Sequence, residues 1–321
     1  MKTAILFPGY GGQFIGMAKD IYDDSRIMQE YFEEASNCLN TNFVKLCFAS
    51  SDTDIAQMSA AYPSIFLVSC ALYTMIKDKG IEAAVVIGSN TGEYAALYAA
   101  KSITFPDGLY LLNKYALYYQ QFLEEHAMRM ASIQGISYQS LASLCKKAST
   151  KKMAVYISSS YTNDYHIIGG HADAVQTVIE QSVQHKEVST KKVSTAYGLH
   201  SVLMEPVVDQ FKMFLEKVDF KDPSITCMNA QGRILSDGEQ IKRHVIETIV
   251  QPLSFTTILE TVAAYDLIIQ VGPGDFLGKL VKEKYPDKIV IIVQEKKDFD
   301  ELASYISQQT VDTETTEHGD R

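Results

Sequence analysis

The sequence predicts an α/β protein in which a large domain is built on a parallel sheet and carries a small inserted domain. Two short, mainly apolar segments, 83–87 and 267–271, are each followed by glycine, and the first, which is continuously apolar, leads into a helical pattern. This pattern is typical of parallel strands that are buried on both faces of a sheet. Between residues 130 and 200 the elements follow the order βαββαβ, as in a ferredoxin-like domain. The length of 321 residues also suits two domains of about 150 residues each.

Composition and charge exclude several classes of protein. With 46% hydrophobic and 21% charged residues the chain is typical of a globular protein, and we find no apolar run near the ~20 residues of a membrane span. A net charge of −10 argues against nucleic-acid binding. Five widely spread cysteines without a Cys-x-x-Cys pair indicate neither a disulfide framework nor a metal site. The N-terminus is too short in its apolar part for a signal peptide. We therefore expect a cytoplasmic protein that binds neither membranes nor metals.

The first half of the chain begins with a buried strand at 4–7. The glycine-rich stretch 8–12 follows, and its backbone N–H groups can face a ligand. Residues 14–80 are mostly helical in pattern, with a long apolar helix at 63–76. The strand at 83–87 then leads into a helix that begins at Glu93, and a further amphipathic helix covers 107–126.

The small domain is predicted from a change of pattern after residue 128. Strand patterns at 130–134, 153–158, 166–169 and 192–196 are separated by helical patterns at 137–148 and 171–184. We therefore assign 129–200 to the small domain, and 1–128 with 201–300 to the large one. Seven lysines against four acidic residues give 130–200 a net charge of +3.

The last part of the chain returns to the large domain. After further helices, the strands at 267–271 and 289–293 complete its sheet. The polar, acidic stretch 310–321 has no periodicity, so we expect a disordered tail there.

One strand-to-helix turn has the spacing of a nucleophile elbow. Gly88 and Gly92 flank Asn90 at its centre. In such an elbow the central side chain projects above the sheet, beside a helix N-terminus that stabilises negative charge. The same spacing also occurs in turns of purely structural importance.

Four segments of the sequence resemble the malonyl-CoA:acyl carrier protein transacylase family. Residues 87–97 resemble the family's Gly-His-Ser-Leu-Gly-Glu segment and the Tyr-Ala-Ala-Leu helix after it, and 7–13 resemble its Phe-Pro-Gly-Gln-Gly-Ser-Gln opening. Residues 192–201 resemble its catalytic-histidine segment, and 270–274 its Glu-Val-Gly-Pro-Gly segment. The motifs occur in the same order over roughly 1–295. The resemblance implies an α/β-hydrolase-like large domain with an inserted ferredoxin-like small domain.

The resemblance also implies catalytic roles for particular positions. His200 matches the general base, and the backbone N–H groups of Tyr10 and Thr91 match the oxyanion donors. Asn90 stands where the family has its nucleophilic serine. A carboxamide nitrogen is not a nucleophile at neutral pH because its lone pair is delocalised into the carbonyl.

Substrate-binding positions differ from the family as well. Tyr115 aligns with the arginine that binds the malonyl carboxylate, and a tyrosine cannot form that bidentate, charge-assisted contact. Tyr197 is a further candidate for contact with the substrate. The family's late glutamine falls at either Thr248 or Gln251.

Three functions remain open from the sequence. The first is a family member of fatty acid or polyketide biosynthesis whose S-malonyltransferase-type activity is lost or weakened, and which binds a carrier protein or an acyl-pantetheine. The second is an active acyltransferase or acyl hydrolase for an acyl group without a carboxylate. The third is a non-catalytic partner of an active homologue. We expect no bound cofactor, a coenzyme A thioester as possible substrate, and an acidic acyl carrier protein that docks at Lys151 and Lys152.

Overall fold

Two β-sheets organise the protein. The computed structural model describes residues 2–184 and 187–318, with side chains described as far as residue 308. The strands are β1 (Thr3–Phe7), β2 (Val85–Gly88), β3 (Met128–Gln134), β4 (Val155–Ser160), β5 (Tyr165–His171), β6 (Ser189–Val193), β7 (Thr226–Met228), β8 (Ile234–Leu235), β9 (Leu253–Ser254), β10 (Leu267–Val271) and β11 (Ile289–Val293).

Helices cover most of the remaining described chain. They are α1 (Lys19–Asp24), α2 (Arg26–Leu39), α3 (Phe43–Ala49), α4 (Asp52–Ile55), α5 (Met58–Asp78), α6 (Gly92–Ala99), α7 (Phe105–Glu125), α8 (Tyr138–Ala148), α9 (Ala172–Ser182), α10 (Glu205–Leu215), α11 (Gly238–Val250), α12 (Phe255–Val262), α13 (Phe276–Lys284) and α14 (Lys296–His318).

The larger sheet has the order β11-β10-β1-β2-β7-β8. Its strands are parallel except for the antiparallel pair β7–β8. Strands β1, β2 and β10 are buried along their whole length, which is why their sequences are mainly apolar. Phe7 lies opposite Gly88, and Leu6 lies opposite Gln270. The loops that follow these three strands therefore meet at one edge of the sheet.

The second sheet has the order β6-β3-β5-β4-β9. Within it the chain runs β3-α8-β4-β5-α9-β6, which confirms the predicted βαββαβ unit. β9 returns from the later part of the chain and pairs in parallel with the end of β4, at Ser159 and Ser160. This pairing attaches the small unit to the large one. The predicted division of the chain at residues 128 and 200 stays a prediction.

One predicted strand ends early. We expected a strand at 192–196, but β6 ends at Val193 and residues 195–197 form a short 3-10 turn. The Ser194 side chain accepts a hydrogen bond from the Ala196 N–H, 3.2 Å away, and so caps the turn.

Helix α5 is longer than the sequence indicated. It begins at Met58 and contains Pro63, whereas we expected the helix to start at that proline. Its 21 residues are long and apolar enough to cross a membrane by length and composition, so the expectation that no segment is that long is wrong. However, 83% of its most apolar window is buried inside the protein, where α5 packs against α2, α6 and α7. It is therefore placed as a core helix, and the cytoplasmic location stays a prediction.

The last element of the described chain is a helix. Helix α14 covers Lys296–His318, and residues 319–321 lie outside the described part, so the disordered tail expected at 310–321 stays a prediction. Phe299 and Leu302, in the first two turns of α14, are buried, and extending a helix that is already nucleated is far easier than starting one.

Candidate functional site

The turn between β2 and α6 has the backbone of a nucleophile elbow. Asn90 adopts a left-handed conformation with φ 54°, which few L-residues other than asparagine and aspartate tolerate. A Cβ atom at Gly88 would lie 2.2 Å from the Glu93 Cα, and one at Gly92 would lie 2.4 Å from the Phe7 carbonyl oxygen. Both flanking positions therefore require glycine, and the turn predicted from the sequence is present.

The side chain at the apex of this turn is held in a hydrogen bond. The Asn90 Nδ2 donates to the carbonyl oxygen of Tyr197. The carboxamide thus links the elbow to the segment that precedes His200. Where the family motif has a nucleophilic hydroxyl, this chain has a fixed structural contact.

The segment 194–200 is held by two tyrosines in addition to Asn90. The Tyr119 hydroxyl donates to the Thr195 carbonyl at 2.5 Å, and the Tyr62 hydroxyl donates to the Ala196 carbonyl at 2.7 Å. The Tyr119 hydroxyl also accepts from the Leu199 N–H at 3.1 Å. Three successive carbonyls, 195 to 197, therefore each accept a hydrogen bond from a side chain outside the segment.

His200 has the hydrogen-bonding pattern of a general base but is shielded from solvent. Its Nδ1 lies 2.7 Å from the Thr248 carbonyl oxygen, so Nδ1 carries the proton and Nε2 has the lone pair. Only 3% of His200 is exposed, and its Nε2 has no hydrogen-bond partner among the described residues. Burial lowers the pKa of His200, which favours the neutral ring.

A buried polar cluster lies behind His200. The Thr248 hydroxyl donates to Glu93 Oε2 at 3.1 Å, and His244 Nε2 lies 3.1 Å from the same oxygen. The Asn229 Oδ1 accepts two backbone N–H groups, so its Nδ2 donates to His244 Nδ1 at 3.0 Å, and His244 Nε2 carries the proton. The cluster therefore orients Thr248, whose carbonyl in turn orients His200.

Sequence reasoning missed most of this cluster. Of the two candidates for the late glutamine position, Thr248 contacts His200, whereas Gln251 lies just beyond the end of α11. A signal for Glu93 was available, because it is a carboxylate in the otherwise apolar start of α6. No local pattern pointed to His244 or Asn229.

The two predicted oxyanion donors have no hydrogen-bond acceptor among the described residues. Neither the Tyr10 N–H nor the Thr91 N–H donates a hydrogen bond within the described residues. The loop carrying Tyr10 packs directly on the elbow, since a Cβ atom at Gly9 would lie 2.4 Å from the Ser89 carbonyl oxygen and 3.3 Å from the Thr91 nitrogen. Thr91 also precedes the N-terminus of α6, where the helix dipole favours negative charge.

A cleft of about 250 Å³ lies where the two sheets meet at the elbow. Among the residues that line it, Asp275 is the one with a formal charge, and the lining contains no lysine, arginine or histidine. The lining residues are Pro8, Gly9, Tyr10, Gly11, Gly12, Ser89, Asn90, Ser159, Tyr161, Tyr165, Ile167, Val193, Tyr197, Leu253, Phe255, Pro273, Gly274, Asp275, Phe276 and Leu277. Asn90, Tyr10 and Tyr197 thus line the same cleft, whereas Thr91, His200 and Tyr115 do not line it, and the roles expected for these residues stay predictions.

Tyr115 lies in an aromatic stack instead of the cleft. It is 5% exposed, and its ring centroid is 5.9 Å from that of Tyr62 and 5.8 Å from that of Tyr119. The neighbouring Lys114 packs over the rings of Tyr110 and Phe214, so no cation replaces the family's arginine there. Tyr115 therefore supports the tyrosines that hold the 194–200 segment.

The predicted docking lysines lie away from the cleft. Lys151 and Lys152 are exposed in the loop before β4. Ser159, which lines the cleft, lies near the other end of that strand, about 13 Å from Val155 at 3.3 Å per residue. Lys191 and Lys192, on β6, are exposed and directly precede Val193, which does line the cleft. Among the described residues no group of three or more histidine, cysteine, aspartate or glutamate side chains could hold a metal ion.

Comparison with known proteins identifies the family. The model of the acyl transferase domain matches residues 5–314. The chain is 27% identical over 285 residues to a malonyl CoA-acyl carrier protein transacylase of Bacillus subtilis (strain 168), covering 88% of this chain and 90% of that protein. It is 26% identical over 304 residues to the enzyme of the same name from Staphylococcus aureus (strain MRSA252), covering 92% and 97%.

Solved structures show the same fold. The structure of an acyl carrier protein S-malonyltransferase from Vibrio cholerae O1 biovar eltor matches with a TM-score of 0.88 and 25% identity, covering 94% of this chain and 100% of that chain. The malonyl CoA-acyl carrier protein transacylase from Clostridium perfringens matches with a TM-score of 0.90 and 22% identity, covering 98% and 100%. The resemblance seen in the sequence is confirmed: this chain belongs to the acyl transferase domain family, the family of the malonyl-CoA:acyl carrier protein transacylases.

Proposed function

We propose that this protein binds an acyl-pantetheine thioester, on coenzyme A or on an acyl carrier protein, without transferring the acyl group. The observation that carries the proposal is Asn90 at the apex of the elbow, with its amide bound to the Tyr197 carbonyl. The family resemblance implies a transfer in which the apex side chain attacks the thioester and then carries the acyl group. A carboxamide cannot form that acyl-enzyme.

No neighbouring group is placed to replace the missing nucleophile. Ser89 lines the cleft, but it precedes the apex, and the central residue of an elbow is the one that projects above the sheet. The Thr91 hydroxyl is buried, and His200 is not among the residues that line the cleft. Removal of the nucleophile from a serine protease lowers kcat by about 10⁶-fold, so we expect a comparable loss here.

The parts of the site that bind rather than react are present. The cleft at the elbow is open, and the free N–H groups of Tyr10 and Thr91 can donate to a thioester carbonyl oxygen. These donors belong to the backbone, so the substitutions at positions 10 and 90 do not remove them. Binding is therefore the activity that these residues can still support.

The partner that we propose is an acidic acyl carrier protein. The net charge of +3 over residues 130–200 contrasts with −10 for the whole chain and would steer an acidic partner towards the small domain. Lys191 and Lys192 border the cleft through Val193, so we infer that they contribute more to docking than Lys151 and Lys152 do.

The proposal is tested by measuring binding and transfer in the same samples. The protein is mixed with acyl-CoA, with and without holo carrier protein, and intact masses of both proteins are recorded while affinity is measured by calorimetry. We expect dissociation constants in the micromolar range and no added mass on this protein. We also expect no more acylated carrier protein than in a control with the His200→Ala variant. Acylated carrier protein above that control would overturn the proposal.

A hydrolase is the second candidate, and the tautomer of His200 is the observation that favours it. The Nε2 atom of His200 has a free lone pair, so it can take a proton from a water molecule if the ring gains access to the cleft. The assay is release of free coenzyme A thiol from acyl-CoA in the absence of carrier protein. Thiol release that His200→Ala abolishes would replace the binding proposal with hydrolysis.

A further inference from the structure

We propose that the cleft selects an uncharged, apolar acyl group and discriminates against a carboxylated one such as malonyl. This inference rests on the proposed function and specifies the class of thioester that is bound. Asp275 and the aromatic group formed by Tyr161, Tyr165, Phe255 and Phe276 are the residues to which we assign the selectivity.

The first argument is the charge of the cleft. Among its lining residues the one formal charge is the Asp275 carboxylate, and no cationic side chain lines it. Lys279 lies 2.6 Å from that carboxylate, but it is 69% exposed and is not part of the lining. A malonyl carboxylate would therefore lose water in the cleft without gaining a cation from the lining, and would compete with Asp275 for Lys279.

The second argument is that the space behind the elbow is already filled. The stacked rings of Tyr62, Tyr115 and Tyr119 occupy the region behind the 194–200 segment, and all three are buried. Asn90 and Tyr197 close the route past the apex through their hydrogen bond. An acyl group bound at the elbow must therefore lie in the open cleft.

The third argument is the chemistry of the cleft wall. The Tyr161 ring centroid lies 4.3 Å from that of Phe255, 4.9 Å from that of Phe276 and 5.1 Å from that of Tyr165. Leu253 and Ile167 extend this surface. An apolar cavity of about 150 Å³ is large enough to bind benzene, so the 250 Å³ cleft has room for a six-carbon chain or a ring.

The experiment compares three ligands by isothermal titration calorimetry: coenzyme A, hexanoyl-CoA and malonyl-CoA. With the unmodified protein we expect hexanoyl-CoA to bind about tenfold more tightly than malonyl-CoA, because each buried methylene adds affinity. Asp275→Asn should tighten malonyl-CoA by about threefold relative to hexanoyl-CoA, since it removes the like charge. Asp209→Asn is the matched control, because Asp209 is also ion-paired with a lysine, but lies outside the cleft lining.

The outcomes separate the inference from the proposed function. Malonyl-CoA binding as tightly as hexanoyl-CoA, with coenzyme A also bound, would overturn the selectivity and leave the binding function in place. If Asp275→Asn changed the affinity for malonyl-CoA no more than Asp209→Asn does, Asp275 would not determine the selectivity and our assignment of that role to it would be contradicted. Absence of binding by all three ligands would overturn the proposed function, and the inference with it.

Discussion

Asn90 has a left-handed backbone conformation, which asparagine tolerates well. Its side chain also makes a hydrogen bond that a serine side chain is too short to make in the same way. Left-handed φ values are unfavourable for most L-residues, and asparagine is among the exceptions. Active sites often retain such strain in exchange for reactivity. At this elbow Asn90 lowers the cost of the left-handed backbone conformation, and its side chain adds a hydrogen bond to the Tyr197 carbonyl.

The first prediction concerns the stability contribution of Asn90. Asn90→Ser should lower the free energy of unfolding by about 1–2 kcal/mol, because it loses both the conformational preference and the hydrogen bond. Urea denaturation measures the change. Asn40→Ser is the matched control, since Asn40 has φ 48° and no side-chain hydrogen bond within the described residues. An equal loss at both positions would show that the contact with Tyr197 adds no stability.

The second prediction concerns pH. Burial holds the pKa of His200 below its ordinary value of 6.5, so at pH values between the two the unfolded chain binds a proton that the native protein does not. The free energy of unfolding should therefore fall as pH is lowered from about 7 towards 5, by up to about 1.4 kcal/mol per pH unit for this group. His200→Gln should make that slope shallower in urea titrations at several pH values.

Two other histidines complete this test. Burial also lowers the pKa of His166, which therefore contributes to the pH slope of both the unmodified protein and the His200→Gln variant. The difference between the two slopes is the contribution of His200. His126 is exposed, and His126→Gln serves as the control. A slope unchanged by His200→Gln would contradict the neutral, buried state that we assign to this ring.

At the scale of elements, the 194–200 segment is fixed by side chains from helices α5 and α7. Tyr62 lies on α5, and Tyr119 lies on α7. Their hydroxyls satisfy carbonyls of a 3-10 turn that has few hydrogen bonds of its own. The position of His200 therefore depends on helices that are distant in sequence.

The third prediction tests these contacts. Tyr119→Phe should lower the free energy of unfolding by about 2 kcal/mol, because it leaves the buried Leu199 N–H unpaired and removes one of the two hydrogen bonds to the Thr195 carbonyl, which keeps the bond from the Gly198 N–H. Tyr115→Phe is the matched control, since Tyr115 is in the same stack but makes no hydrogen bond among the described residues. Thermal and urea unfolding measure both variants. Similar losses would mean that ring packing, and not the hydroxyl, holds the segment.

The sequence predicted elements best where a single local pattern was strong. The strands 267–271 and 289–293 begin and end as predicted, because four or five apolar residues within a five-residue run between turns are a clear strand pattern. β7, β8 and β9 have three residues or fewer, too few for any periodicity to show. For the 192–196 stretch a local cap at Ser194 outweighed the strand pattern.

The candidate site was predictable only in part for a similar reason. Asn90 and Tyr10 come together because they follow the paired strands β2 and β1 at one sheet edge, and Tyr197 lines the same cleft from the turn that follows β6. The location of Tyr115 in an aromatic stack depends on rings from α5 and α7, which no spacing reveals. The contact of Glu93 with His244 and Thr248 joins residues about 150 positions apart.

At the scale of the whole molecule, charge is distributed unevenly. The protein has a net charge of −10, yet the small domain is basic and its edge strand β6 carries Lys191 and Lys192 beside the cleft. Long-range steering by such a patch acts on association and weakens with salt.

The fourth prediction distinguishes two groups of lysines. Replacing Lys191 and Lys192 by glutamate should weaken binding of a holo carrier protein at least about fivefold at low salt, and less at high salt. The same exchange at Lys151 and Lys152 should have a smaller effect, because that loop is at the far end of β4. Calorimetry at two ionic strengths measures both. A larger effect of Lys151 and Lys152 would locate docking on the far side of the small domain.

The central claim is that Asn90 at the apex of the elbow prevents formation of an acyl-enzyme, and intact-mass spectrometry after incubation with hexanoyl-CoA tests it most directly. The account predicts no added mass on the unmodified protein and one added hexanoyl group on Asn90→Ser, removed again by a further His200→Ala substitution. An acylated unmodified protein, or hexanoyl transfer from it to a carrier protein, would contradict the account.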